Sequence, residues 1–289
     1  MGRTVLLVDI DNTLYDWPAF YAPCLRAMID VVARELSLTD EQIYDECRAV
    51  FARHESLEYA FLIQELESVK VLDADRVKEL VGLARGTFKS VEAKRLRPYP
   101  GVVKALEWLR QQDVTIIGVT NSPVWRAQRR LYNLNLDSLL AGLVAWEGFK
   151  PSSDDPANEG FVRSGTTRGI TRLRNIWPIS EDQCKPNERA YLIALEALGS
   201  SPSDAWAVGD SLAKDLEPAA ALGIRTIWAK YGAKFDPSDK DMATILRVTH
   251  WSPDRIQTTY KKEALTPDAT VDSFEEVTRV IPAKYPTLF

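Results

Sequence analysis

Four short stretches of the chain share one design, an apolar, largely β-branched run that ends abruptly in polar or acidic residues. They are Val5-Leu6-Leu7-Val8 into Asp9, Thr115-Ile116-Ile117-Gly118-Val119 into Thr120, Ala205-Trp206-Ala207-Val208 into Gly209-Asp210, and Ile224-Arg225-Thr226-Ile227-Trp228. Continuous runs of this length suit strands covered on both faces, as in a parallel sheet. Leu143-Val144-Ala145-Trp146 is a weaker fifth candidate. Between them the apolar positions recur at helical spacing. Residues 101–112 place Val102, Val103, Leu106 and Leu109 on one face, residues 186–198 open with Pro186 at the first helical position and stop at Gly199, and residues 212–222 stop at Gly223. Strands alternating with helices predict right-handed βαβ units, hence an α/β fold with a doubly wound, mainly parallel sheet. Ligands of such sheets sit beyond the carboxyl ends of the strands, where polar residues close three of the runs.

Residues 16–96 follow another rhythm. Helical patterns over 19–34, 41–51, 59–66 and 73–89 fill the stretch, with no strand-like run. Thr39 followed by Gln42 makes a capping box for the second helix. Pro18 and Pro98-Tyr99-Pro100-Gly101 bracket the segment, which is read as an all-α subdomain inserted after the first strand. The remainder, 1–15 and 97–289, forms the α/β core, interrupted by long loops or insertions at about 150–183 and 231–267. The first of these carries Arg163, Arg168, Arg172 and Arg174 without an acid from Gly160 to Asn175.

Composition narrows the field only a little. A chain of 289 residues, 45% hydrophobic and 27% charged, has the balance of a globular protein with one large core and a smaller lid. A net charge of −5 gives no global attraction to nucleic acid or to an anionic membrane, so neither is expected as a partner. Cys24, Cys47 and Cys184 are an odd number without a CxxC, which excludes a disulfide framework and a zinc set and favours reduced thiols in a cytoplasmic protein. The opening apolar run is too short for a signal peptide or membrane span. Oligomeric state is open.

Chemistry concentrates at the strand ends. Asp9 and Asp11, two residues apart after a buried strand, can point to one side, where they repel unless a cation or a shared proton relieves them. Asp210 and Asp215 stand at another strand end, with Gly209 allowing a tight turn. Together these acids make an oxygen-rich site for a hard cation such as Mg²⁺. Thr120-Asn121-Ser122-Pro123 ends a third strand and opens a helix, with Pro123 at its first position; hydroxyls and free N–H groups there favour a phosphate. Lys185 would balance the carboxylates and hold a phosphoryl oxygen; Lys150 is a rival but leads into no helix. Each feature alone has an ordinary structural explanation, as a helix cap, a loop acid or a solvated lysine.

As a set, in order, they resemble the haloacid dehalogenase (HAD) superfamily of phosphatases. The resemblance rests on Asp-x-Asp-x-Thr at Asp9 to Thr13, on Thr120, on Lys185-Pro186, and on Gly-Asp-x-x-x-x-Asp from Gly209 to Asp215. Asp268-Ala269-Thr270-Val271-Asp272-Ser273-Phe274 is similar to that family's last core strand and turn. The core match spans roughly residues 1–15, 97–149, 184–230 and 268–281, and the helical insert resembles the family's C1 cap. Two departures stand out: the gap between Thr120 and Lys185 is long, and Lys214 replaces the Asn common before the last Asp.

The resemblance implies a Mg²⁺-dependent phosphohydrolase acting on a small phosphorylated metabolite through an aspartyl-phosphate. Asp9 is the implied nucleophile and Asp11 the general acid and base. The metal is implied to be held by the side chains of Asp9 and Asp210 and the carbonyl of Asp11. Thr120, Asn121 and Lys185 bind the phosphate, and Asp215 orients Lys185 or the metal shell. A dehalogenase is disfavoured because such enzymes lack an acid at the position of Asp11. A mutase, a phosphorylatable switch resembling a receiver domain, and an inactive scaffold are the alternatives. Asp11-Asn12-Thr13-Leu14-Tyr15 is similar to pyrimidine 5′-nucleotidases, so a nucleoside 5′-monophosphate is the first candidate substrate. Arg53, His54 and Tyr59 are candidate substrate contacts, although each is more simply read as covering its own helices. Deleting 160–175 is expected to change substrate preference.

Overall fold

The apolar runs lie side by side. The computed structural model describes residues 4–148, 171–233, 236, 238–252 and 265–285. Its strands are β1 (Val5–Val8), β2 (Thr115–Pro123), β3 (Gly142–Trp146), β4 (Asn175–Ile179), β5 (Ala205–Gly209), β6 (Arg225–Ala229) and β7 (Ala269–Val271). All neighbours are parallel, in the order β4-β3-β2-β1-β5-β6-β7. The chain builds outward from β1 to one edge, then returns to fill the other side, so the switch in direction falls at the carboxyl end of β1.

The continuous apolar runs are explained by burial on both faces. Leu6, Val8, Ile116, Trp206 and Val208 belong to one core cluster, and Val5, Leu7, Ile117, Ala205 and Ala207 to another. The helices are α1 (Trp17–Leu36), α2 (Asp40–Arg53), α3 (Glu67–Lys70), α4 (Ala74–Arg95), α5 (Val102–Gln111), α6 (Val124–Asn133), α7 (Arg189–Leu198), α8 (Glu217–Ala221), α9 (Lys240–Val248) and α10 (Val277–Val280). α5 and α6 join the first cluster through Leu106, Leu109, Ala127 and Leu131, while α7 covers the opposite face with Ala190, Tyr191 and Ala194.

Between β1 and β2 the chain is helical. Asp16 caps α1 by accepting from the Ala19 amide at 2.9 Å, and Thr39 and Gln42 form the expected capping box of α2. The pattern at 59–66 yields only a 3-10 turn, Ile63–Glu65, because Leu66 turns to an extended ψ of 136° before α3. Three more boundaries differ from expectation. α7 starts at Arg189, so Pro186 lies outside it; Pro123 caps α6 instead of opening it; and 212–222 splits into a π-helical turn, Leu212–Leu216, followed by α8.

The stretch read as one long insertion, about 150–183, contains β4. Its sequence, Asn-Ile-Trp-Pro-Ile, buries only Ile179 fully and holds a proline, which an edge strand tolerates. Arg163, Arg168 and Lys150 lie outside the described residues. All three cysteines are free thiols. No helix among the described residues is long and apolar enough to cross a membrane.

Candidate active site

The chain leaves β1 at Asp9, whose amide donates to the Val208 carbonyl at 2.9 Å and so stays tied to β5. At Asn12 it turns through a left-handed conformation (φ 62°), which brings the Thr13 hydroxyl back to donate to Asp9 Oδ2 at 2.9 Å. Tyr231 holds this loop by donating its hydroxyl to the Thr13 carbonyl at 2.6 Å. A Cβ at Gly232 would come within 2.0 Å of the Asn12 carbonyl oxygen, so glycine there permits the close approach.

Lys185 lies almost out of solvent between two acids. Its Nζ donates to Asp9 Oδ1 and to Asp215 Oδ1, each at 2.6 Å. The second oxygen of Asp215 accepts from the Ser211 amide at 2.9 Å, so the backbone fixes this carboxylate beside the lysine. Gly209 matters for space rather than for turning: it is absent from the left-handed glycines, and a Cβ there would fall 2.5 Å from the Asp215 carboxyl group. Asn121 clasps the Lys185 backbone, accepting from its amide at 2.9 Å and donating to its carbonyl at 2.7 Å. The Asn121 side chain therefore positions the lysine.

Carboxylate oxygens of Asp9, Asp210 and Asp215 lie within 4.8 Å of one another. Burial first, and then the negative charge of Asp215, push the Asp9 carboxyl up to about 7 against the pull of Lys185. Burial, followed by Asp215 and Asp9, holds Asp210 well above the usual carboxylate range. Such crowding is what a divalent cation relieves, and hard carboxylate oxygens are the donors Mg²⁺ takes.

Asp11 is turned away from that cluster. Its carboxylate accepts from the Ser122 hydroxyl at 2.7 Å, from Arg130 at 3.1 Å, from Thr120 at 3.4 Å and from the Tyr15 hydroxyl. Arg130 also pairs with Glu58, which accepts from the Trp17 indole at 2.8 Å. Burial would raise Glu58, but the Arg130 and Arg126 guanidiniums outweigh it and hold this acid below its usual range. Thr13, Tyr15 and Ser122 stood in the sequence motifs without an assigned role, whereas Arg130 and Glu58 were not among the sequence candidates; Arg126 and Arg130, four apart on one helix, are the signal that could have pointed to them.

These groups open into a cleft of about 380 Å³, lined by Asp9, Asp11, Thr120, Asn121, Lys185 and Asp210 together with Trp17, Trp146 and Trp251. His54 reaches it while stacked on Tyr59 at 3.6 Å and bonded to Glu65 at 2.8 Å. Arg53 pairs with Glu65 at 3.0 Å; neither Arg53 nor Tyr59 lines the cleft.

The sequence profile of the haloacid dehalogenase-like hydrolases matches residues 4–223, and a HAD-hydrolase-like profile matches 183–277. The chain belongs to the haloacid dehalogenase-like hydrolase family. It is 24% identical over 234 residues to a glyceraldehyde 3-phosphate phosphatase of Methanopyrus kandleri, covering 78% of this chain and 84% of that one. It is 26% identical over 231 residues to a phosphoglycolate phosphatase of Pseudomonas putida, covering 79% and 70%. A HAD phosphatase from Thermococcus onnurineus shares the fold, with a TM-score of 0.56 at 17% identity and coverage of 98% and 99%.

Proposed function

We propose that the protein is a HAD-type phosphatase that hydrolyses a small phosphomonoester by transferring the phosphoryl group to Asp9 and then to water. The observation that carries this reading is the division of labour between two neighbouring carboxylates. Asp9 lies in the acid cluster beside Lys185, whereas Asp11 is held apart by Ser122 and Arg130.

Asp9 attacks phosphorus in line and forms an acyl-phosphate. Lys185 neutralises the approaching dianion and holds one of its oxygens, with Thr120 and nearby amides on the others. Asp11, oriented toward the cleft, gives a proton to the departing alkoxide and later takes one from the attacking water. The side chains of Asp9 and Asp210 and the carbonyl of Asp11 would hold Mg²⁺, which would supply positive charge between nucleophile and phosphate. Asp215 and Asn121 keep Lys185 in place. The helical segment 16–96 acts as a C1-type cap, contributing Trp17, His54 and Glu58 to the cleft wall.

Trp146 and Trp251 offer surfaces on which a base could stack, which favours a nucleoside 5′-monophosphate as substrate. Named relatives acting on glyceraldehyde 3-phosphate and phosphoglycolate favour short phosphorylated metabolites as the second reading. Turnover of an aryl phosphate, with and without Mg²⁺, in the wild type and in Asp9→Asn tests the class, and a phosphometabolite panel then ranks the two substrates. Multiple turnovers lost in Asp9→Asn support the phosphatase. A stable phosphoprotein without turnover would replace it with a switch, and phosphate delivered to a second hydroxyl instead of water would replace it with a phosphotransferase.

A further inference from the structure

One guanidinium stands between two carboxylates that come from different parts of the fold. Arg130, on α6, turns Nη1 toward Asp11, donating to Oδ1 at 3.1 Å, with the Tyr15 hydroxyl at 3.3 Å. Its Nη2 donates to Glu58, which lies in the helical segment between α2 and the 3-10 turn. Arg130 and Glu58 are both buried. Burial works against the Arg130 charge, but Glu58 foremost, then Tyr15 and Asp11, outweigh it and keep the guanidinium ionised. The planar fork fixes the angle between its edges, so whatever holds one edge aims the other.

Glu58 is the firmly anchored partner of the two. Its Oε1 also accepts from the Trp17 indole at 2.8 Å, and its Oε2 faces Arg126 at 3.5 Å. Trp17 is stacked on Tyr21, with ring centroids 4.7 Å apart and 20° between the planes. The Tyr21 hydroxyl in turn donates at 2.5 Å to the carbonyl of Leu57, the residue before Glu58. Asp11 has, besides Arg130, only hydroxyl donors on side chains that can rotate, from Ser122, Thr120 and Tyr15. Without Glu58, Arg130 keeps Asp11 as its one ion-pair partner among the described residues, and nothing charged fixes the far edge of the fork.

We propose that Glu58 is a positioning residue: through Arg130 it sets where the Asp11 carboxyl points, and so ties proton delivery to the seating of the helical segment. This rests on the phosphatase reading, in which the bond from phosphorus to the leaving oxygen breaks as the bond to Asp9 forms, and the Asp11 proton passes to that oxygen. A displacement of about 1 Å in a reacting group can cost about 100-fold, so a loosened fork should register in the rate. Glu58 also lines the cleft, which makes direct contact with substrate the competing role.

Two probes of similar size separate proton delivery from the other steps. p-Nitrophenyl phosphate expels a stable phenolate that needs no proton, whereas benzyl phosphate must expel an alkoxide that does. kcat/KM, which reports on steps up to phosphoryl transfer, is measured for both probes on each sample of full-length protein with Mg²⁺, so partial unfolding cancels in their ratio. In Glu58→Gln, benzyl phosphate should lose about tenfold or more beyond any loss with p-nitrophenyl phosphate. Trp17→Phe, which keeps a ring and removes the indole donor, should show the same bias at smaller size, and it decides if Glu58→Gln does not fold. Adding Glu58→Gln to Arg130→Ala should shift the ratio no further, because Glu58 acts through that guanidinium. Equal losses on the two probes would make Glu58 structural, and a further shift in the double variant would give it a direct role at the substrate; either overturns the proposal. Wild-type protein that turns over neither probe, or turnover that survives Asp9→Asn, would remove the phosphatase reading and the positioning role with it.

Discussion

Lys185 shows how closely the site depends on single side chains. It is shared by two buried carboxylates, so Lys185→Ala would leave Asp9 and Asp215 facing each other without a counter-charge. Removing one partner of a buried pair costs about 3–5 kcal/mol, and we expect urea unfolding of the variant to show a loss of that order together with loss of turnover. Arg130 acts differently. It touches Asp11 and Glu58 from a helix, and in Arg130→Ala the Asp11 carboxylate keeps the Ser122, Thr120 and Tyr15 hydroxyls but loses its cationic partner and is held less firmly. On the phosphatase reading kcat should fall about 10- to 100-fold, a part of what a positioned acid or base contributes, while KM changes little. Steady-state kinetics checks this, and an equal rise in KM with unchanged kcat would reassign Arg130 to substrate binding. Asp9, Lys185 and Asp210 were legible because strand ends and motif spacing expose them. Arg130 was not, because its partner lies 119 residues away and only the fold joins them.

Elements were legible to the extent that burial was uniform. β1, β2, β5 and β6 are covered on both faces and announce themselves as apolar runs. β4, at the edge, has a mixed pattern that a reading by continuous hydrophobicity passes over. Its anchor is also long-range: fully buried Asp137 accepts from the Arg172 amide at 2.7 Å and from its guanidinium at 2.7 and 3.1 Å. Arg172→Ala leaves Asp137 with fewer partners and should lower stability, since a buried carboxylate loses donors. The guanidinium is half-exposed and screened by solvent, so a small loss is expected from thermal or urea unfolding. Deleting 160–175 would remove this anchor and the first residue of β4, so it would report stability before substrate preference. A deletion confined to 152–169 is the cleaner test of preference, and identical kinetics across a phosphometabolite panel would show that the segment does not select substrate. Thr39→Ala offers a local contrast, since losing the α2 cap should lower stability by about 1 kcal/mol without altering kinetics.

For the molecule as a whole, the acid cluster links stability to pH and, on the proposed metal site, to Mg²⁺. Folding holds the Asp9 carboxyl at about 7 against an ordinary 3.8, mainly through burial. Between those values the folded chain retains a proton that the unfolded chain has released, so this group's contribution to stability falls as pH rises from about 4 to 7. Asp210 is shifted in the same direction and adds to the slope. A divalent cation binding the ionised carboxylates of the folded state works the other way, and its stabilisation grows with pH because protons no longer compete for the oxygens. In chelator, the melting temperature should therefore decline between pH 5 and pH 8, whereas in excess Mg²⁺ the decline should be smaller. The two curves should nearly meet at pH 5 and separate by several degrees at pH 8, at about 2–4 °C per kcal/mol for a chain of this size. Asp9→Asn removes one charge and should narrow that separation while raising the chelator curve at high pH. Parallel curves in scanning calorimetry would mean that the cation does not bind through these carboxylates, whatever its effect on turnover.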